Sequence, residues 1–253
     1  MQRCSPEETV IIALDVESLN QAEKIIEATG ERASLYKVGS ELFTRCGPPA
    51  VKLLRDHSKE VFLDLKFHDI PNTVAGAVAA GAALGVKMLN VHASGGFEMM
   101  KAAAEGARRQ GTGSAEGGSG GRRQKAPKVL AVTVLTSIDE RILGEEVGCR
   151  RAVQEQVLHL AQLAKKAGLD GVVASPKEVA LIRENLGGDF LIVTPGIRPL
   201  WAAKGDQKRV MTPAEAIRAG ADYIVIGRPI TASDDPKAAF DRIVAEIQPE
   251  FSG

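Results

Sequence analysis

Between Phe62 and Thr73 the chain reads FLDLKFHDIPNT, with Asp64 and Lys66 two residues apart in an apolar stretch and Asp69 just beyond it. On a β-strand, residues two apart project to the same face, so this carboxylate and this ammonium would enter one site together. Lys37 stands near the end of another apolar stretch, 34–38. An alternating Lys37–Asp64–Lys66–Asp69 array can keep two ammonium groups charged in a semi-enclosed site, because neighbouring carboxylates offset their desolvation. A lone D-x-K could equally be a salt bridge that closes off a strand end. The flanking pattern favours a reactive site.

Two turns point to a second chemistry. Thr194-Pro-Gly196-Ile-Arg198 and Ile226-Gly227-Arg228-Pro229 each join a glycine to an arginine. Glycine lets backbone N–H groups approach an anion closely, and arginine presents a planar fork to its oxygens, so the pair reads as a phosphate site. Tight turns alone would explain Gly196 and Gly227, but not an arginine in both. Between them, residues 200–209 (LWAAKGDQKR) are long and polar enough for a lid over a phosphate. No pair of histidines has metal-ligand spacing, so no metal site is expected, and His92 reads as a packing or supporting residue.

Such residues need a scaffold that brings distant segments to one rim. Short β-branched runs recur at 10–14, 34–38, 60–65, 87–91, 128–134, 170–174, 190–193 and 222–226. Helical segments are expected at 19–28, 48–57, 73–84, 97–106, 151–167, 177–185, 213–219 and 236–247. Apolar runs with little alternation suit parallel strands buried on both faces. Eight βα units in 253 residues predict an α/β fold, a (β/α)8 TIM barrel forming a single domain over 1–253. An open doubly wound sheet is disfavoured by the count and by the lack of G-x-G-x-x-G after the first run. In a parallel barrel the site gathers at the C-terminal strand ends. Those ends carry Asp15, Lys37, Asp64, Lys66, His92, residues 133–137, Ser175, Arg198 and Arg228. So many polar groups converging on one rim mark a site.

The Gly-rich stretch GTGSAEGGSGG (111–121), flanked by Arg108, Arg109, Arg122, Arg123 and Lys125, breaks this pattern. It has too little apolar surface to offset its chain entropy, so a flexible surface insertion is expected at about 108–125. The 32 basic and 32 acidic residues cancel, which argues against nucleic acid or an anionic membrane as main partner. The longest stretch without a strongly polar residue, 74–86, is shorter than the ~20 residues needed to span a bilayer. It is rich in small residues and reads as a helix packed closely on a neighbour, such as a second subunit. Residues 1–9 have no apolar core for a signal peptide, and Cys4, Cys46 and Cys149 have no disulfide or zinc spacing. A soluble cytoplasmic protein is expected.

The motifs, taken together, resemble a known family. FLDLKFHDIPNT (62–73), ALD (13–15), LYKVGSELF (35–43), NVHASGG (90–96), AVTVLTS (131–137), LDGVVAS (169–175), VTPGIRP (193–199), GDQKR (205–209) and VIGRPIT (225–231) are similar to orotidine 5'-phosphate decarboxylases of the bacterial type. The likeness runs in order over essentially the whole chain apart from the Gly-rich insertion.

The resemblance implies a (β/α)8 barrel that converts orotidine monophosphate to uridine monophosphate and carbon dioxide, without cofactor or metal, as a homodimer. Lys66 would protonate C6 of the pyrimidine within the Lys37, Asp64, Lys66 and Asp69 array. Asp69 and Thr73 would reach into the partner's site. Asp15 and Lys37 would hold the ribose hydroxyls, and Thr136 would lie along the pyrimidine. Arg198, Gln207, Gly227 and Arg228 would line the phosphate end. The alternatives are a magnesium-dependent sugar-phosphate decarboxylase or aldolase of the same barrel group, and an inactive phosphate-binding barrel.

Overall fold

The structure is a computed structural model that describes residues 5–112, 125–202 and 211–251. Eight parallel strands among them form a closed barrel in chain order. They are β1 (Val10–Leu14), β2 (Leu35–Gly39), β3 (Glu60–Phe67), β4 (Met88–His92), β5 (Lys128–Val132), β6 (Gly171–Val173), β7 (Leu191–Thr194) and β8 (Tyr223–Ile226). The barrel closes where Val10, Ile11 and Ile12 of β1 pair with Ile224, Val225 and Ile226 of β8. The expected α/β barrel is therefore the observed architecture.

The strands read as continuous apolar runs because each is covered on both sides. Ile11, Phe62, Leu130, Val193 and Tyr223 fill the barrel interior, whereas Ile12, Leu63, Leu89, Ile192 and Ile224 join the layer under the helices. Tyr36 lies in that outer layer with its hydroxyl 2.6 Å from Thr29 Oγ1, and burial pushes its phenol up to about 12.

The helices are α1 (Pro6–Thr9), α2 (Leu19–Thr29), α3 (Ser40–Cys46), α4 (Pro49–Asp56), α5 (Pro71–Ala83) and α6 (Gly96–Thr112), followed by α7 (Val153–Lys166), α8 (Val179–Leu186), α9 (Pro213–Ala219), α10 (Arg228–Thr231) and α11 (Pro236–Ile247). Side chains satisfy several of their first N–H groups. Ser18 accepts from Gln21 N at 3.3 Å, Asp235 from Ala238 N at 2.9 Å, and Thr212 with Glu215 forms a capping box. The short helices α1, α3 and α10 were not foreseen, since so few residues show no periodicity.

Two expectations change. The small residues of α5 do pack closely on a neighbour, but among the described residues that neighbour is α6 of the same chain. A Cβ added at Gly106 would lie 2.5 Å from the Ala75 carbonyl oxygen, so Gly106 permits the approach. Helix α6, expected to end at 106, also continues to Thr112, into the segment expected as an insertion. The rest of the Gly-rich stretch, 113–124, lies outside the described residues.

Candidate functional site at the C-terminal rim

Asp64, near the end of β3, is only 8% exposed and takes three polar partners. Its Oδ1 accepts from Lys66 Nζ at 2.7 Å and from Asn90 Nδ2 at 2.6 Å, and its Oδ2 lies 3.5 Å from Lys37 Nζ. Lys37, on β2, also donates to Asp15 Oδ1 at 2.8 Å just beyond β1. Three neighbouring strands thus supply a continuous chain, Asp15–Lys37–Asp64–Lys66, in which charges alternate. Opposite unit charges about 4 Å apart attract by roughly 4 kcal/mol at an effective dielectric near 20, which offsets their partial removal from water.

The backbone under Lys66 is irregular. Lys66 has φ +52, in the left-handed region that costs a non-glycine residue about 1–2 kcal/mol. The β3–β4 register shifts here: Leu63 pairs with Leu89 and Phe67 with Val91, so Asp64, Leu65 and Lys66 stand against Asn90 alone. Such bulges re-aim side chains. The Lys66 N–H, displaced from the ladder, donates to Asn90 Oδ1 at 2.8 Å.

Above this network is a cavity of about 380 Å³. Ala13, Phe62, Val132, Val173 and Val225 give it an apolar base, and Asp15, Lys37, Asp64 and Lys66 form a charged wall. Thr136, Ser175, Gly196, Arg198, Gly227 and Arg228 also line it. Gly196 has φ +79, a conformation natural to glycine, in the turn that brings Arg198 to the cavity. Arg198 N donates to the Met211 carbonyl at 3.1 Å, and Ile197 bridges to Met211. The two ends of the segment that would carry Gln207 are thereby joined, although Gln207 itself and most of the expected lid lie outside the described residues.

A family model described as "Orotidine 5'-phosphate decarboxylase / HUMPS family" matches residues 8–243. The chain belongs to that family. A Moorella thermoacetica protein named orotidine 5'-phosphate decarboxylase is 52% identical over 248 residues, covering 98% of this chain and 95% of the relative. One of the same name from Syntrophotalea carbinolica is 55% identical over 238 residues, 94% of each chain. A crystal structure of orotidine 5'-phosphate decarboxylase from Lactobacillus acidophilus superposes with TM-score 0.81 at 44% identity, covering 94% of this chain and 98% of that one.

Family membership makes the position of each expected site residue informative. Asp15, Lys37, Asp64, Lys66, Thr136, Arg198, Gly227 and Arg228 all line the one cavity. Asp69 and Thr73 do not. They sit exposed beside Ile70, itself 68% exposed, and Asp69 Oδ1 accepts from Ile70 N at 2.6 Å. The His92 ring lies 5.5 Å from that of His68, outside the cavity lining. Burial, then the charges of His68 and Lys66, hold its pKa below the ordinary range against an opposing pull from Asp64. Ser175 is expected at the rim without an assigned role and does line the cavity, whereas Asn90 stands only within a motif. Asn90 is wholly buried, and only its contacts with β3 reveal it.

Proposed function

We propose that this chain decarboxylates orotidine 5'-monophosphate to uridine 5'-monophosphate and carbon dioxide in de novo pyrimidine synthesis, needing neither cofactor nor metal. The observation that carries this reading is that one cavity is lined both by Lys66, paired with Asp64 at 2.7 Å, and by Arg198 and Arg228.

Loss of carbon dioxide from C6 leaves an electron pair in an sp2 orbital in the ring plane, where the π system cannot delocalise it. The Lys66 ammonium stabilises that charge and then transfers a proton to C6, so Lys66 ends the step neutral and regains its proton from solvent. Preorganised charge of this kind acts most strongly where water is excluded. Asp64 holds Lys66 beside the departing carboxylate. Asp15 and Lys37 bind the ribose hydroxyls, Thr136 lies along the pyrimidine, and Arg198, Gln207, Gly227 and Arg228 take the phosphate. Binding energy from those remote groups lowers the barrier at C6 by orienting the ring.

The chain acts as a single barrel domain in the cytoplasm and as a homodimer. Asp69 and Thr73 serve the partner's site, a reading supported by their exposure away from this cavity and by the exposed Ile70 between them. The carboxylates that a divalent ion could use, Asp15 and Asp64, already share the Lys37 ammonium. The magnesium-dependent alternative gains no support from that arrangement.

The test is loss of orotidine monophosphate absorbance in excess EDTA, with wild type beside Lys66→Ala. Turnover by wild type and none by the variant is the expected result. Activity that appears only with magnesium and a sugar phosphate would overturn the substrate assignment. Equal turnover by both proteins would remove Lys66 as the acid.

A further inference from the structure

We propose that Asn90 is a positioning residue for the proton donor: its carboxamide holds Lys66 in the left-handed backbone conformation and sets Asp64 against the Lys66 ammonium. This rests on the reading of Lys66 as the acid.

Asn90 shares the inward direction of Met88 and His92 on β4, since alternate strand residues share a face. At 0% exposure its amide is shut off from bulk solvent and must find its partners inside the protein. Its two functional atoms meet two different needs of β3. Oδ1 accepts the Lys66 N–H at 2.8 Å, replacing the ladder bond that the register shift removes. Nδ2 donates to Asp64 Oδ1 at 2.6 Å, the same oxygen that Lys66 Nζ reaches at 2.7 Å. One planar group therefore ties the backbone of Lys66 to the carboxylate that its own side chain grips. With that loop closed, both ends of the lysine are fixed relative to the cavity. A hydroxyl is too short to span both partners, and an apolar residue would leave the Lys66 N–H and an Asp64 lone pair without them.

Asn90→Ala should lower kcat by about 100-fold, the scale of a misplacement near 1 Å, while binding of uridine 5'-monophosphate is unchanged. Asn90→Asp separates positioning from packing. The introduced carboxyl nearly matches the amide in shape, and when protonated it can donate to Asp64 while still accepting from Lys66 N–H. When ionised it sets two carboxylates in contact, which raises the pKa of the pair. The other charged or titratable groups around them are Lys66, Lys37, Asp15, His92 and His68. The ratio of Asn90→Asp kcat to wild-type kcat should therefore rise as pH falls.

Hydrogen exchange at the Lys66 amide provides a readout independent of turnover, and Asn90→Ala should accelerate it. A wild-type kcat in Asn90→Ala, or an Asn90→Asp ratio independent of pH, would overturn the inference. So would unchanged Lys66 exchange. If wild type itself fails to consume orotidine monophosphate, the functional reading falls, and the exchange result still decides the geometry.

Discussion

The two ends of the barrel use charged residues in opposite ways. At the N-terminal floor, ion pairs complete the strand ladders. Asp170, just before β6, accepts from Val129 N at 2.9 Å and Lys128 Nζ at 2.7 Å. Asp222, just before β8, accepts from Ile192 N at 2.7 Å and Arg183 Nη2 at 2.6 Å. The same Arg183 donates to the carbonyls of Gly187, Phe190 and Gly220. Each floor carboxylate thus satisfies a backbone N–H where a strand begins. At the C-terminal rim the ladder is interrupted instead: β3 bulges, Lys66 takes a left-handed φ, and the charges face a cavity. Residue types alone do not separate structure from chemistry; the end of the strand does.

The comparison makes opposite demands on two substitutions. Lys66→Ala should abolish turnover, a loss of at least about 1,000-fold if proton donation and charge stabilisation go together. Alanine keeps the same left-handed backbone position, and Asp64 retains Asn90 and Lys37 as partners, so the melting temperature should change by only a few degrees, roughly 1 kcal/mol or less. Arg183→Ala should do the reverse. It leaves three carbonyls and the Asp222 carboxylate without this donor, at a cost of about 2–3 kcal/mol in unfolding free energy by denaturant titration. Its kcat per folded molecule should match wild type. A floor variant that lost kcat at full stability, or a Lys66→Ala protein that melted early with normal turnover, would break the division.

Gly39 sharpens it within the rim. Its φ of −90 is open to any residue, so no backbone constraint explains a glycine there. A Cβ at this position would instead sit 2.8 Å from Lys37 Nζ and 3.2 Å from Asp15 Oδ1. Both neighbours are side-chain ends that can move, so Gly39→Ala should fold with nearly normal stability. The displaced ammonium, however, is the link between Asp15 and Asp64. A fall of about tenfold in kcat/KM is expected from steady-state kinetics with melting as the control, equal to about 1.4 kcal/mol. Unchanged kinetics would mean that the array tolerates a shifted Lys37.

The barrel was legible because its strands must be apolar on both faces, which makes them stand out even without alternation. The charged wall was legible because D-x-K implies one face. What the spacing hides is the bulge. Two residues inserted opposite Asn90 leave no mark in the order of amino acids, and neither does the φ of Lys66. Asn90 itself stands 26 residues from Asp64 in the chain, and an asparagine in an apolar run has no partner until the strands are paired. The small residues of α5 signalled a close approach correctly but could not say against what. Gly106, far along α6, permits the close approach to Ala75.

His92 tests whether rim charges reach stability at all. Burial is the largest cause holding its pKa down, with the charges of His68 and Lys66 next and Asp64 opposing. The sign follows from proton uptake. Above the ordinary value of 6.5 the imidazole is neutral in both the folded and unfolded chain and contributes nothing. As pH falls through that value the unfolded chain binds a proton that folded His92 resists, so unfolding becomes easier until the lowered folded pKa is reached. Melting scans across that window should therefore show a decline that His92→Gln reduces. Lys66→Ala should reduce it too, by removing a positive neighbour, whereas Arg183→Ala should lower every melting point without altering this slope. An identical slope in wild type and His92→Gln would show that the imidazole charges as readily folded as unfolded, and that the rim's fixed charges stop at the cavity wall.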